Sequence, residues 1–194
     1  MQALPPDDLF CRRPHARGGA ADTMLSRIIA RWGTLQRPAL FGCVWMAGLL
    51  GVLAWLDDRY GGMFLIPPFA ATITILLYLP HASVAQPFAI IVGSVLGAAI
   101  GSVASVLLGF GTGVAMAAAL VALITLPMLR AYHPPGVALA MYAPLLHCGL
   151  WYAIQVVLPF TLVAVASAVV MSRLLRSWPQ YPAPLRTDID RVRM

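Results

Sequence analysis

Charge is what this chain has least of. Asp, Glu, Lys and Arg make up 10% of its 194 residues, against 60% hydrophobic residues and a mean hydropathy of +0.82. A soluble domain of this length needs more charge than that to cover its outside. Between Pro38 and Ser172 the only such residues are Asp57, Asp58, Arg59 and Arg130, with three histidines added. No water-exposed surface can be built from that stretch, so it belongs in lipid.

Other absences exclude whole classes of function. Lysine is missing, and the basic residues are all arginines, several of which flank apolar runs: Arg27, Arg31 and Arg37 before the first, Arg173 and Arg176 after the last. That is the positive-inside pattern of membrane topology, not a nucleic-acid stripe with interleaved aromatics. Cysteine is scarce, and Cys11, Cys43 and Cys148 are odd in number and widely spaced. They read as packing residues, with no disulfide framework and no metal site. The membrane region has no carboxylate beyond Asp57-Asp58, no metal-ligand spacing and no Ser-His-Asp set. Acid–base chemistry would rest on histidines alone, so no enzyme and no cofactor is expected. A proton relay of the Asp/Glu type is excluded for the same reason.

What is present is a series of apolar runs between two polar tails. Residues 1–38 form a turn-rich tail without the apolar core of a cleavable signal. It ends in a short amphipathic stretch opened by Met24, itself a possible start, suited to a cytoplasmic membrane surface. The tail at 176–194 holds three prolines with interspersed Arg and Asp and reads as disordered from Trp178. Apolar runs fall at about 39–56, 63–79, 88–109, 113–129, 135–147 and 150–172. A spanning helix needs roughly 20 residues. The second and fifth runs do not fit one simple helix, because each carries a proline pair, Pro67-Pro68 and Pro134-Pro135, and the fifth adds Pro144 and His147.

The arginines orient the runs. Six crossings put both termini in the cytoplasm of a bacterial inner membrane, Asp57-Asp58-Arg59 outside and Arg130 inside. The expected fold is therefore an all-α polytopic membrane protein whose transmembrane domain covers 39–175. Its two units, about 39–110 and 113–175, each read as run, Pro-Pro segment, run. Three crossings per unit invert the second against the first, as in many small transporters. Gly93, Gly97 and Gly101, continued by Ser105, form a small-residue stripe on the third run. In lipid such residues let backbones approach closely, so the stripe is read as helix packing, within the chain or between subunits; a homo-oligomer is expected.

Proline has no amide proton and a fixed φ, and it pushes the preceding residue toward extended structure. His133-Pro134-Pro135-Gly136 therefore reads as extended chain turning into a helix start. From Pro135 to Ala143 that helix is about 13–14 Å long, roughly half the hydrocarbon thickness, with irregular chain around Pro144 and His147. Free amides at such a start suit an anion, and His133 stands beside them. Thr72 follows Pro68 at a matching place and lines the same cavity in this reading. The candidate solute site is thus His133, Pro134, Pro135, Gly136, Pro67, Pro68 and Thr72. In the plainer reading both pairs are kinks and His133 is an interfacial residue bonded to a carbonyl; His81 and His147 invite that plainer reading more strongly.

His133-Pro134-Pro135, after a run ending in Arg130, resembles the signature of the HPP family of integral membrane proteins. Pro68-Phe69-Ala70-Ala71-Thr72 is similar to that family's proline–glycine–alanine–serine/threonine element, and Ala85-Gln86-Pro87 with Gly93 to its alanine–glutamine–proline segment and later glycine. The resemblance covers about residues 39–172. Family members are described with about four spanning helices, and some as nitrite carriers. The resemblance therefore implies a channel or transporter for nitrite or a similar small anion. Gly136-Val137-Ala138-Leu139 departs from the alanine–glycine–alanine–threonine usual after the tripeptide, and Phe88 stands where arginine is common. The rival readings are a non-transporting assembly or regulatory subunit and, further off, a membrane enzyme.

Overall fold

The computed structural model describes residues 40–176 and 178–183, all within the unit Pro38–Met194. The amphipathic stretch after Met24 lies outside the described residues. Among those residues every regular element is helical. They are α1 (Leu40–Tyr60), α2 (Pro67–Tyr78), α3 (Pro87–Leu108), α4 (Thr112–Met128), α5 (Pro134–Leu145) and α6 (Leu158–Leu174). A 3₁₀ turn, Ser83–Ala85, precedes α3, and a π-helical turn, Ala153–Val157, runs into α6. Three segments are long and apolar enough to cross a bilayer: α1 with 21 residues, α3 with 22, and the continuous stretch Ala153–Leu174 with 22. The others are shorter, 17 residues in α4 and 12 each in α2 and α5.

Proline sets three of the helix starts. Each of α2, α3 and α5 opens on proline directly after an extended residue: Ile66 (φ −100°, ψ 146°), Gln86 (φ −69°, ψ 150°) and His133 (φ −135°, ψ 112°). The clash of the proline ring with the preceding residue accounts for all three. The C-terminal ends are also alike. At the end of α4, Arg130 takes φ 54°, its amide bonds Pro127 O and the Ala131 amide bonds Leu126 O. These two bonds make a Schellman closure. At the end of α5, His147 takes φ 56° and the Cys148 amide bonds Ala143 O. The irregular chain expected from Pro144 onward is thus displaced: Pro144 sits inside α5, in its last turn, at the cost of the bond that its amide would have made to Ala140 O.

The six helices alternate in direction. Trp45 Nε1 near the start of α1 donates to Ser167 Oγ in the second half of α6 at 3.1 Å, while Leu53 and Leu56 further along α1 line a groove with Pro159 and Phe160 at the start of α6, so these two run antiparallel. A Cβ on Gly42 would meet Leu77 at 2.6 Å, which sets the start of α1 beside the end of α2. Gly93, Gly97 and Gly101 of α3 meet Ala131, Gly136 and Ala140 in turn, so α3 and α5 run parallel with α4 returning between them. One end of the bundle therefore carries Leu40, the loops 79–86 and 129–133, and the tail 178–183. The other carries the loops 61–66, 109–111 and 146–152, where Cys148 Sγ lies 3.9 Å from Met63 Sδ and the Phe110 ring 4.5 Å from that of His147.

The closest packing is around α5, which lies against both α3 and α4, whereas α2 makes sparser contact with α1, α5 and α6. Glycine explains the first interface. A Cβ on Gly97 would fall on the Gly136 carbonyl, 2.6 Å from its carbon; one on Gly101 would fall on the Ala140 carbonyl, 2.9 Å from its carbon. Pro144, four residues on, has no amide for that Ala140 oxygen, which leaves the oxygen free to lean toward the Gly101 backbone. On the far side of α2, Phe69 stacks on Phe160 with ring centroids 3.9 Å apart.

The C-terminal tail needs a correction. The disorder expected from Trp178 does not hold over the described residues, where Trp178 and Tyr181 are 7% and 4% exposed; residues 184–194 lie outside the described residues. Trp178 packs edge-on against Trp45 at 5.3 Å, and Ser172 Oγ donates to Tyr181 O at 2.8 Å. Two aromatic side chains returning to the bundle outweigh the polar composition around them.

Candidate functional site

The second turn of α2 and the N-cap of α5 meet inside the bundle. His133 and Thr72 are both fully buried, at 0% exposure. His133 Nε2 lies 3.0 Å from Thr72 Oγ1, a contact between residues 61 apart in the chain. His133 Nδ1 lies 2.8 Å from Val84 O in the turn before α3. A carbonyl can only accept, so Nδ1 carries a proton. Thr72 Oγ1 is also 3.0 Å from Pro68 O, within its own helix. The polar chain Val84 O, His133, Thr72, Pro68 O thus ties three segments together.

Its depth follows from α3. A Cβ on Gly93 would come 2.9 Å from His133 Cβ, so the imidazole sits level with Gly93. By helical rise that is about 9 Å along α3 from Pro87. The pair is set within the length of α3, one of the segments long and apolar enough to cross a bilayer.

The free amides expected after Pro135 are not there. Pro134 and Pro135 occupy the first two helical positions and have no N–H to offer. The next amide, Gly136, donates to His133 O at 2.8 Å. In α2, likewise, Phe69 donates to Ile66 O at 3.0 Å. A proline pair fixes the helix start but consumes the donors that would serve an anion. The polar side chains at the junction are the Thr72 hydroxyl, 3.0 Å from Pro68 O, and the His133 ring, whose Nδ1 lies 2.8 Å from Val84 O.

Two apolar grooves among the described residues lie away from the pair. One apolar groove of about 460 Å³ runs between α3 and α4, lined by Leu96, Ile100, Val103, Ala117 and Val121 among others. A smaller one of about 120 Å³ lies between α1 and α6, along Leu53, Phe64 and Phe160. Neither includes His133 or Thr72.

The family model of the HPP transmembrane region matches residues 30–182, most of the chain and all of its described helices. The chain belongs to the HPP family. Neither a curated protein nor a solved structure matches it. In this HPP protein the tripeptide is the hinge between the Schellman end of α4 and the start of α5, with its histidine turned inward onto Thr72. Pro135 and Gly136 are buried beside it, while Pro134 and Pro67 are exposed and Pro68 is buried. The other two histidines of the domain, His81 and His147, are exposed and stand apart from the site. Among the described residues no cluster of His, Cys, Asp or Glu is placed to hold a metal ion.

Sequence reasoning missed three partners. Val84 acts through its backbone carbonyl, which leaves no side-chain signal. Gln86, buried at the start of α3, holds the same turn by donating to Pro80 O at 3.2 Å and Ala82 O at 3.1 Å. Tyr181 donates its hydroxyl to Ala85 O at 2.9 Å, next to the carbonyl that His133 uses. The pairing of Trp178 and Tyr181 in a proline-containing tail was the available cue.

Proposed function

We propose that this HPP protein is a membrane channel or transporter for a small anion, nitrite-like by its family resemblance. The observation that carries the proposal is the buried contact between His133 and Thr72. A titratable side chain inside an apolar helical bundle is costly to place there, and such residues mark solute paths more often than packing. Thr72 carries a hydroxyl hydrogen and His133 gains a second N–H when protonated, and such donors are what an anion needs when it gives up its water. In this reading the structure is a closed state. The pair parts when α2, the more loosely packed short helix, moves against α5, and the anion takes the place of one contact.

The further features belong to the same proposal. The alternating directions place a Pro-Pro helix start in each half, approached from opposite ends of the bundle, which supports an inverted repeat of about 39–110 and 113–175. Arginine placement supports six crossings in a bacterial inner membrane with both termini cytoplasmic. A homo-oligomer and non-enzymatic action complete the proposal, with no cofactor. The groove between α3 and α4 favours a second reading, a non-transporting assembly subunit that buries this apolar face against a partner.

The test is nitrite and formate flux into liposomes containing the purified chain, beside His133→Ala at matched incorporation. Flux that depends on the protein and falls in the variant supports the proposal. No protein-dependent flux of either anion, together with recovery of a stable hetero-complex, transfers support to the assembly reading.

A further inference from the structure

We propose that His133 is a proton-binding site and that the small anion enters this site together with a proton; this rests on the anion-pathway reading above. The argument is a count of hydrogens. Three contacts meet at the pair: Nδ1 to Val84 O at 2.8 Å, Nε2 to Thr72 Oγ1 at 3.0 Å, and Thr72 Oγ1 to Pro68 O at 3.0 Å. Each needs one hydrogen between its heavy atoms. The two carbonyls supply none. A neutral imidazole supplies one and the Thr72 hydroxyl another, so one contact of the three stays empty. Thr72 must then turn its hydrogen either to Pro68 O or to Nε2. An imidazolium supplies the missing hydrogen: Nε2–H donates to Oγ1, the hydroxyl donates to Pro68 O, and all three contacts are filled.

Burial opposes that solution, because an isolated cation in an apolar interior is strongly disfavoured. No fixed carboxylate can offset it. On α3 there is no titratable side chain, and α2 offers only exposed Tyr78 at its far end. The 79–86 loop adds exposed His81, and the α4–α5 junction adds exposed Arg130 and Tyr132. Tyr142 lies two turns further along α5, and Tyr181 reaches the neighbouring Ala85 carbonyl. None of these is an anion partner for His133. The geometry asks for a proton that the surroundings refuse, and a bound anion removes the refusal. A monovalent anion and a proton then arrive from water with no change in net charge, and each raises the affinity for the other by the same factor.

The experiment is calorimetric titration of the purified full-length chain in nanodiscs with sodium nitrite near pH 7, in two buffers of different ionisation heat. The expected result is uptake of about one proton per nitrite bound, as linkage at a single histidine requires, and its loss in His133→Gln. Nitrogen-15 spectra of histidine-labelled protein should show the buried ring passing from neutral to imidazolium as nitrite is added, which needs no variant. Nitrite binding with no proton uptake and an unchanged neutral ring overturns the coupling and leaves the anion pathway standing. Uptake that persists in His133→Gln also overturns it, by placing the proton elsewhere. Absence of nitrite binding overturns both readings.

Discussion

Gly97 rests backbone to backbone on Gly136, which joins the middle of α3 to the first turn of α5. Any side chain at either position has to displace a carbonyl rather than a flexible side chain. Gly97→Ala should therefore lower stability by about 1–3 kcal/mol, the usual cost of overpacking. Gly97→Leu should prevent recovery of folded protein. Thermal unfolding in detergent measures the first and size-exclusion yield the second. A Gly97→Ala protein that melts with the parent would show that the two helices stand further apart than this.

The alternation of six helix directions makes a labelling prediction. In a background without Cys11, Cys43 and Cys148, single cysteines at Asp58, Gly111 and Gly149 should react with an impermeant maleimide from one side of the membrane. Cysteines at Ser83 and Gln180 should react only from the other. Labelling of positions 58 and 180 from the same side would mean that one of the short helices turns back without crossing.

How much of this was legible follows from how local each cause is. The helix starts at the Pro67-Pro68 and Pro134-Pro135 pairs could be read because a proline restricts its own neighbour, whatever the fold around it; the start at Pro87 follows the same rule but went unread. The glycine stripe could be read as a packing face, but its partner could not, since Gly136 is defined only once α5 lies parallel to α3. The amides after Pro135 were misjudged because the same prolines that start the helix take donors away. Polar composition hid the ordered part of the tail, where two aromatic rings outweigh it. The contact of His133 with Thr72 joins residues 61 apart; the matching places of the two proline pairs put both residues on one site, but the direct bond between them has no signature at either residue alone.

Tyr181 offers a check on whether the tail supports the site. Its hydroxyl donates to Ala85 O, and the neighbouring Val84 carbonyl accepts from His133. Burial pushes the phenol above its usual range, so it remains a donor. Tyr181→Phe leaves a buried carbonyl short of that partner and should cost about 1–3 kcal/mol. It should also broaden the His133 nitrogen resonances, because the Ser83–Ala85 turn loses one of its ties. A variant that is less stable but keeps sharp, unmoved His133 signals would confine Tyr181 to anchoring the tail.

Thr72 separates a functional pair from a packed one. Valine matches threonine in shape but lacks the hydroxyl, so Thr72→Val keeps the second turn of α2 filled while taking the hydrogen-bond partner from His133 Nε2. Leaving a buried ring nitrogen unpaired should cost about 1–3 kcal/mol of stability, measurable as a lower unfolding midpoint in detergent. If the pair lies on the solute path, anion flux should fall in Thr72→Val by more than its loss of folded protein explains. Thr72→Ser, which restores the hydroxyl with less bulk, should recover most of that flux. The serine variant makes the comparison decisive, because it loses a packed methyl that valine retains. Packing alone therefore predicts that valine performs better than serine, and the polar pathway predicts the reverse. Flux ranked with valine above serine, at equal incorporation into liposomes, would place the His133–Thr72 contact among the structural bonds of the fold and remove it from the path.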